Sequence, residues 1–83
     1  MENRLDLKAC LKVFNSVQTH GEKQGEKYHC QGLVAWSDFD GYTCFLQFKQ
    51  TTVTMMFHGK YELDCPSEEA LSEFERKLVT FSV

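Results

Sequence analysis

A single proline and five glycines in 83 residues exclude a collagen-like repeat and a low-complexity linker. Long apolar runs are missing too. The longest stretches, Leu33–Trp36 and Val53–Phe57, are four or five residues, against the roughly 20 that a membrane-spanning helix needs. Basic residues are in the minority: nine Lys and Arg stand against twelve Asp and Glu, for a formal charge of −3. A protein that lives on phosphate contacts carries a basic excess or a concentrated basic face, so the balance argues against nucleic acid and against an anionic membrane as partners.

The four cysteines, Cys10, Cys30, Cys44 and Cys65, have no close pairing of the C-x2-C kind that structural zinc favours. The only close metal-type neighbours are His29 and Cys30, whose side chains point to opposite faces of a strand. No metal or other cofactor is therefore expected. Met1–Asp6 is polar and charged and is not followed by the apolar core of an export signal. The four thiols are accordingly expected to be reduced, in a cytoplasmic protein.

Hydrophobic residues make up 42% of the chain and aromatics 13%, enough for one folded domain over residues 1–83 but not for two cores. A chain of this length buries only about 60–65% of its unfolded surface. Further burial against a partner, for example in a homodimer, is a natural expectation.

Periodicity divides the chain into three parts. Leu7, Cys10, Leu11, Phe14 and Val17 recur at steps of three and four, which predicts an amphipathic helix over Arg4–Thr19 with Asn3 as its cap. The polar stretch Gly21–Lys27 reads as a loop. From Tyr28 to Cys65, β-branched and aromatic residues alternate between turn signals. After Pro66, Ser67 caps a second helix, with Glu68 and Glu69 in its first turn and Arg76 and Lys77 towards its end. Its apolar stripe is Leu71, Phe74, Leu78 and Phe81. The expected fold is α+β: a four-stranded antiparallel meander between an N-terminal and a C-terminal helix, in the order α-β-β-β-β-α.

Asp40-Gly41 suits a tight hairpin turn, which sets Ser37 opposite Cys44, Ala35 opposite Leu46 and Leu33 opposite Phe48, with Phe39 facing Tyr42. A two-residue loop at Gln50-Thr51 puts Val53, Met55 and Phe57 on the same face. A three-residue loop near His58-Gly59 adds Tyr61 and Leu63. Three turns thus agree on one apolar face.

Alternation then fixes the second face. It collects Val34, Trp36, Thr43, Phe45, Gln47, Thr54, Met56 and His58, with Tyr28 and Cys30 joining them if no bulge intervenes. Trp36, Phe45 and Met56 come out as cross-strand neighbours, an aromatic stripe flanked by Val34 on one side and by the polar row Asp38, Thr43 and His58 on the other. An apolar stripe within a polar sheet face points to contact with a partner.

Catalytic readings are weaker. Cys44 and His58 fall on opposite faces, and Cys30 lies several positions from His58, so a cysteine–histidine pair does not assemble. Asp38 and His58 are two strand spacings apart, about 10 Å between backbones, and need Thr43 or water between them. Arg4, Lys8 and Lys12 recur every four residues and form one basic row along the first helix.

The stretches Gly25-Glu26-Lys27-Tyr28, Gly32-Leu33, Ala35–Thr43, Met56-Phe57-His58 and Lys60-Tyr61 resemble a small family of uncharacterised cytoplasmic proteins from gammaproteobacteria, known as a domain of unknown function. The resemblance implies a short bacterial cytoplasmic protein and brings no activity, cofactor or binding residue with it.

The leading expectation is a non-enzymatic interaction module that associates with itself, or with another protein, through Trp36, Phe45, Met56 and Val34. A small-ligand binder or minor enzyme would instead use a pocket between sheet and helices, near Tyr42, Tyr61 or the Asp38/His58 row. An acidic partner or a nucleic acid would be held by Arg4, Lys8 and Lys12.

Overall fold

The structure, a computed structural model, describes residues 6–39, 41–56 and 59–81. Its elements run α1 (Leu7–His20), β1 (Glu22–Gln24), β2 (Lys27–Cys30), β3 (Leu33–Ser37), β4 (Thr43–Phe48), β5 (Thr51–Met56), β6 (Tyr61–Asp64) and α2 (Glu68–Thr80). The strands form one antiparallel meander in the order β1-β2-β3-β4-β5-β6. The fold is thus α+β with two helices, as its periodicity predicts, but the sheet has six strands rather than four.

One additional strand, β1, comes from the segment expected to be a loop, and the other, β2, is separated by a turn from the strand expected to run on from Tyr28. Glu22–Gln24 has no apolar residue, and all three of its residues are exposed. It pairs with β2 through a two-residue turn at Gly25-Glu26, on backbone hydrogen bonds that leave no trace in hydrophobicity. A short, charged strand at a sheet edge also discourages pairing with other chains. The next turn, Gln31-Gly32, has positive φ at both residues (53° and 85°), as a two-residue I′ hairpin requires. It sets Cys30 opposite Leu33 and Tyr28 opposite Ala35. Tyr28 and Cys30 therefore lie against the core and not on the second face, because this turn reverses the parity that an unbroken strand would have kept.

From β3 onward the predicted parity holds. Ser37 pairs with Cys44, Ala35 with Leu46 and Leu33 with Phe48. Met55 pairs with Tyr61 and Val53 with Leu63. The hairpin after β3 is wider than expected: the last backbone contact is Asp38 N–H donating to Thr43 O (2.7 Å), so Phe39 and Tyr42 lie in the loop and are exposed instead of extending the core face. Asp40 lies outside the described residues. The turn after β4 is Lys49-Gln50, not Gln50-Thr51, since Phe48 pairs with Thr51. Thr51 opens β5 fully buried, and its hydroxyl donates to Ala70 O (3.3 Å), which fastens β5 to α2.

Both helices lie on the same face. Asp6, not Asn3, caps α1, with its carboxylate accepting from Lys8 and Ala9 N–H. Arg4 and Asn3 lie outside the described residues. Cys10, Val13, Phe14 and Val17 face inward, whereas Leu11 is 44% exposed, so the buried stripe runs one residue to the side of the one read from spacing. Ser67 caps α2 by accepting from Ala70 N–H, and Leu71, Phe74 and Leu78 are buried. These side chains form one core with Leu33, Ala35, Leu46, Val53 and Met55. No described helix is long and apolar enough to cross a membrane.

Gly21 permits α1 to lie close to β2. A Cβ there would sit 2.8 Å from His29 O and in outright collision with Val17 O, and neither backbone atom can give way without moving an element. Gly21→Ala is therefore expected to destabilise the fold by about 2 kcal/mol or more, as overpacking against a rigid neighbour does. Phe74→Ala, which empties the largest fully buried side chain, should cost about 3–5 kcal/mol. Denaturant midpoints of the two variants against wild type check both.

Candidate interaction surface

With both helices on one side, the second sheet face has no described helix over it. Register gives its layout. One row crosses the sheet as Trp36, Phe45, Thr54 and Glu62, with Lys27 preceding Trp36 on β2. The next row is Glu22, His29, Val34, Gln47, Thr52 and Asp64. The residues of β3, β4 and β5 on this face are half-buried, shielded by one another.

Trp36 and Phe45 are stacked, with ring centroids 5.1 Å apart and planes within 8°. Lys27 Nζ lies 4.4 Å from the centre of the Trp36 ring, close enough for a cation–π contact. The stacked pair is the aromatic centre that alternation predicts. Its third member is displaced: Met56 pairs with Thr43, and Thr54 takes the place beside Phe45. The cause is the Lys49-Gln50 turn, which shifts β5 by two residues, preserving each side chain's face but changing its neighbours. Met56 remains on the surface, diagonal to Phe45, within reach of a long side chain. Val34 stands beside Gln47, as expected.

The polar row does not come together as a described cluster. Asp38 and Thr43 are backbone partners, but the Asp38 carboxylate accepts from Phe39 N–H (2.9 Å) and so serves the turn. His58 lies outside the described residues. In the basic row, Lys8 and Lys12 are exposed on α1 and Arg4 is not described. Lys12 borders a surface cleft of about 400 Å³ between the ends of the helices, lined also by Val13, Leu78 and Phe81.

The family of this chain can now be stated. It belongs to the family described as protein of unknown function (DUF3081), whose model matches residues 5–82. No curated protein and no solved structure matches the chain. Membership in DUF3081 therefore supplies no activity, and the surface must be read on its own chemistry.

All four thiols are free. Burial, with a smaller contribution from the Asp6 charge, pushes the Cys10 thiol up from 9.0 to about 12, and burial also raises Cys44. Both are neutral at physiological pH and are poor nucleophiles. Among the described residues no three His, Cys, Asp or Glu side chains gather to hold a metal ion.

Sequence reasoning missed Lys27 and His29 of β2 and Glu22 of β1, which share this face with Glu62 and Asp64 of β6. Placing the first three required the Gln31-Gly32 turn, whose one signal was a glycine preceded by a polar residue, whereas Glu62 and Asp64 follow from the alternation that sets Tyr61 and Leu63 on the core face.

The Cys10 shift has a measurable consequence. Between pH 9 and about 12 the unfolded chain loses the thiol proton while the folded chain keeps it, so this group stabilises fully below pH 9 and its contribution falls as pH rises. Denaturant unfolding from pH 8 to 11 should show a steeper loss of stability for wild type than for Cys10→Ala.

Proposed function

We propose that the chain is a non-enzymatic interaction module that associates with a second copy of itself through the open sheet face, with Trp36 and Phe45 at its centre and Val34 and Met56 beside them. The observation that carries this reading is the stacked aromatic pair at the middle of a sheet face that neither helix covers. Antiparallel sheets commonly leave one face to water, but such a face is then polar throughout. Here an aromatic core is ringed by threonines, a glutamine and charges, which is the anatomy of an interface: apolar centre, polar rim.

A second copy is favoured as occupant because Lys27 on β2 and Glu62 on β6 stand in one row on either side of the aromatic pair, so a copy turned about the middle of that row meets each with its opposite charge. The setting we propose is the bacterial cytoplasm, where free cysteines persist.

Sedimentation velocity tests the reading. Wild type should sediment at twice 9.7 kDa at micromolar to millimolar concentration, and Trp36→Glu at the monomer mass. Thr54→Arg, a change on the same surface that leaves the aromatic pair intact, should also shift the chain towards monomer, with circular dichroism confirming that both variants fold. A wild type that stays monomeric throughout the range overturns the proposal.

A further inference from the structure

The first row of the open face has a direction. It runs Gln24, Lys27, Trp36, Phe45, Thr54, Glu62 from β1 to β6, and the second row runs Glu22, His29, Val34, Gln47, Thr52, Asp64. In the first row the ammonium of Lys27 stands on β2 and the carboxylate of Glu62 on β6, four strand spacings or about 19 Å away, whereas the second row has a carboxylate at each end. The bulky side chains are unequally placed as well. Trp36 and Val34 are on β3, and the matching positions of β5 are the smaller Thr54 and Thr52. The midpoint of this pattern is β4.

Two sheets packed face to face keep their strands within about 30° of each other, about 10 Å apart. A two-fold axis in the interface then has two simple settings. With the axis perpendicular to the strands, each strand lies over its own copy: Lys27 and His29 meet Lys27 and His29, Glu62 and Asp64 meet their like, and β3 with its tryptophan opposes β3. With the axis parallel to the strands over β4, β2 lies over β6 of the second copy and β3 over β5. Lys27 then approaches Glu62 and His29 approaches Asp64, twice each. Trp36 meets Thr54, a large residue against a small one, as close packing requires. Asp38 and Lys60, which flank the Thr43–Met56 pair, come side by side in the same setting.

We infer that two copies join about a two-fold axis parallel to the strands, centred on β4, with Lys27 of each face against Glu62 of the other. This rests on the self-association proposed above and specifies its geometry. The aromatic centre supplies burial. Lys27 and Glu62 lie at the rim, where charge pairs contribute little affinity but reject the orientation that brings like charges together.

Charge reversal tests the geometry. Lys27→Glu alone places two pairs of carboxylates together, and Glu62→Lys alone places two pairs of ammonium groups together. Each should weaken the dimer about tenfold at low ionic strength. Mixed one to one, the two variants form a heterodimer in which both contacts are again of opposite sign, and dimerisation should return to within about threefold of wild type. The double variant in a single chain should recover likewise. Native mass spectrometry with one variant labelled with nitrogen-15 reads the heterodimer directly, and sedimentation gives the constants. A dimeric wild type with no recovery in the mixture, or with variants that dimerise as well as wild type, overturns this axis and leaves self-association standing. A monomeric wild type overturns both.

Discussion

The sheet acts as a partition because both helices are fastened to the same side of it. At one end the Gly21 backbone approaches His29 so closely that α1 lies directly on β2 and β3. At the other, Thr51 donates from β5 to Ala70 of α2. Side chains alternate along a strand without exception between bulges. Once Leu33, Ala35, Leu46, Val53 and Met55 are committed to the helices, Val34, Trp36, Phe45, Thr54 and Met56 are committed to the other side. The aromatic surface follows from the way the core is built.

That arrangement bears on stability. Among the described residues the core draws on twelve buried apolar side chains, with Phe74 the largest fully enclosed. A domain of this size hides a smaller fraction of its surface than a larger one, and its margin is a few kcal/mol. The stacked Trp36 and Phe45 are among the bulkiest apolar groups outside the core, and they remain half-buried. At about 25 cal/mol per Å² of apolar area removed from water, covering what they still expose favours association.

How much of this was legible in sequence divides along one physical line. Hydrophobic alternation reports parity, which face a residue takes, and parity was readable from Leu33 to Leu63 because the turns all preserve it. Register is a different quantity. Moving the β4–β5 turn from Gln50-Thr51 to Lys49-Gln50 shifts β5 by two residues, so every side chain keeps its face while Met56 loses its place beside Phe45. No apolar pattern can distinguish two settings that bury the same residues. Strand β1 and the break between β2 and β3 were illegible for a related reason: Glu22–Gln24 pairs through its backbone alone, and the Gln31-Gly32 turn, with a glutamine at φ 53°, carries a residue that turn statistics do not favour there. The aromatic pair, and by alternation the face of Glu62, was therefore visible in sequence, but the place of Lys27 beside Trp36 was not.

Lys27 connects the isolated chain to the assembly proposed for it. In the isolated chain its ammonium lies over Trp36, so the face is partly covered by its own side chain. Such screening lowers the free energy of the monomer and weakens association by the same amount, which favours a dimer that responds to concentration over a permanent one. Moving the ammonium outward to a carboxylate of the second copy gives up one cation–π contact for one ion pair, each worth about 1 kcal/mol or less at an exposed site. The exchange is close to neutral. Net affinity must then come from the Trp36–Phe45 surface, while Lys27 and Glu62 decide the orientation in which that surface can be used.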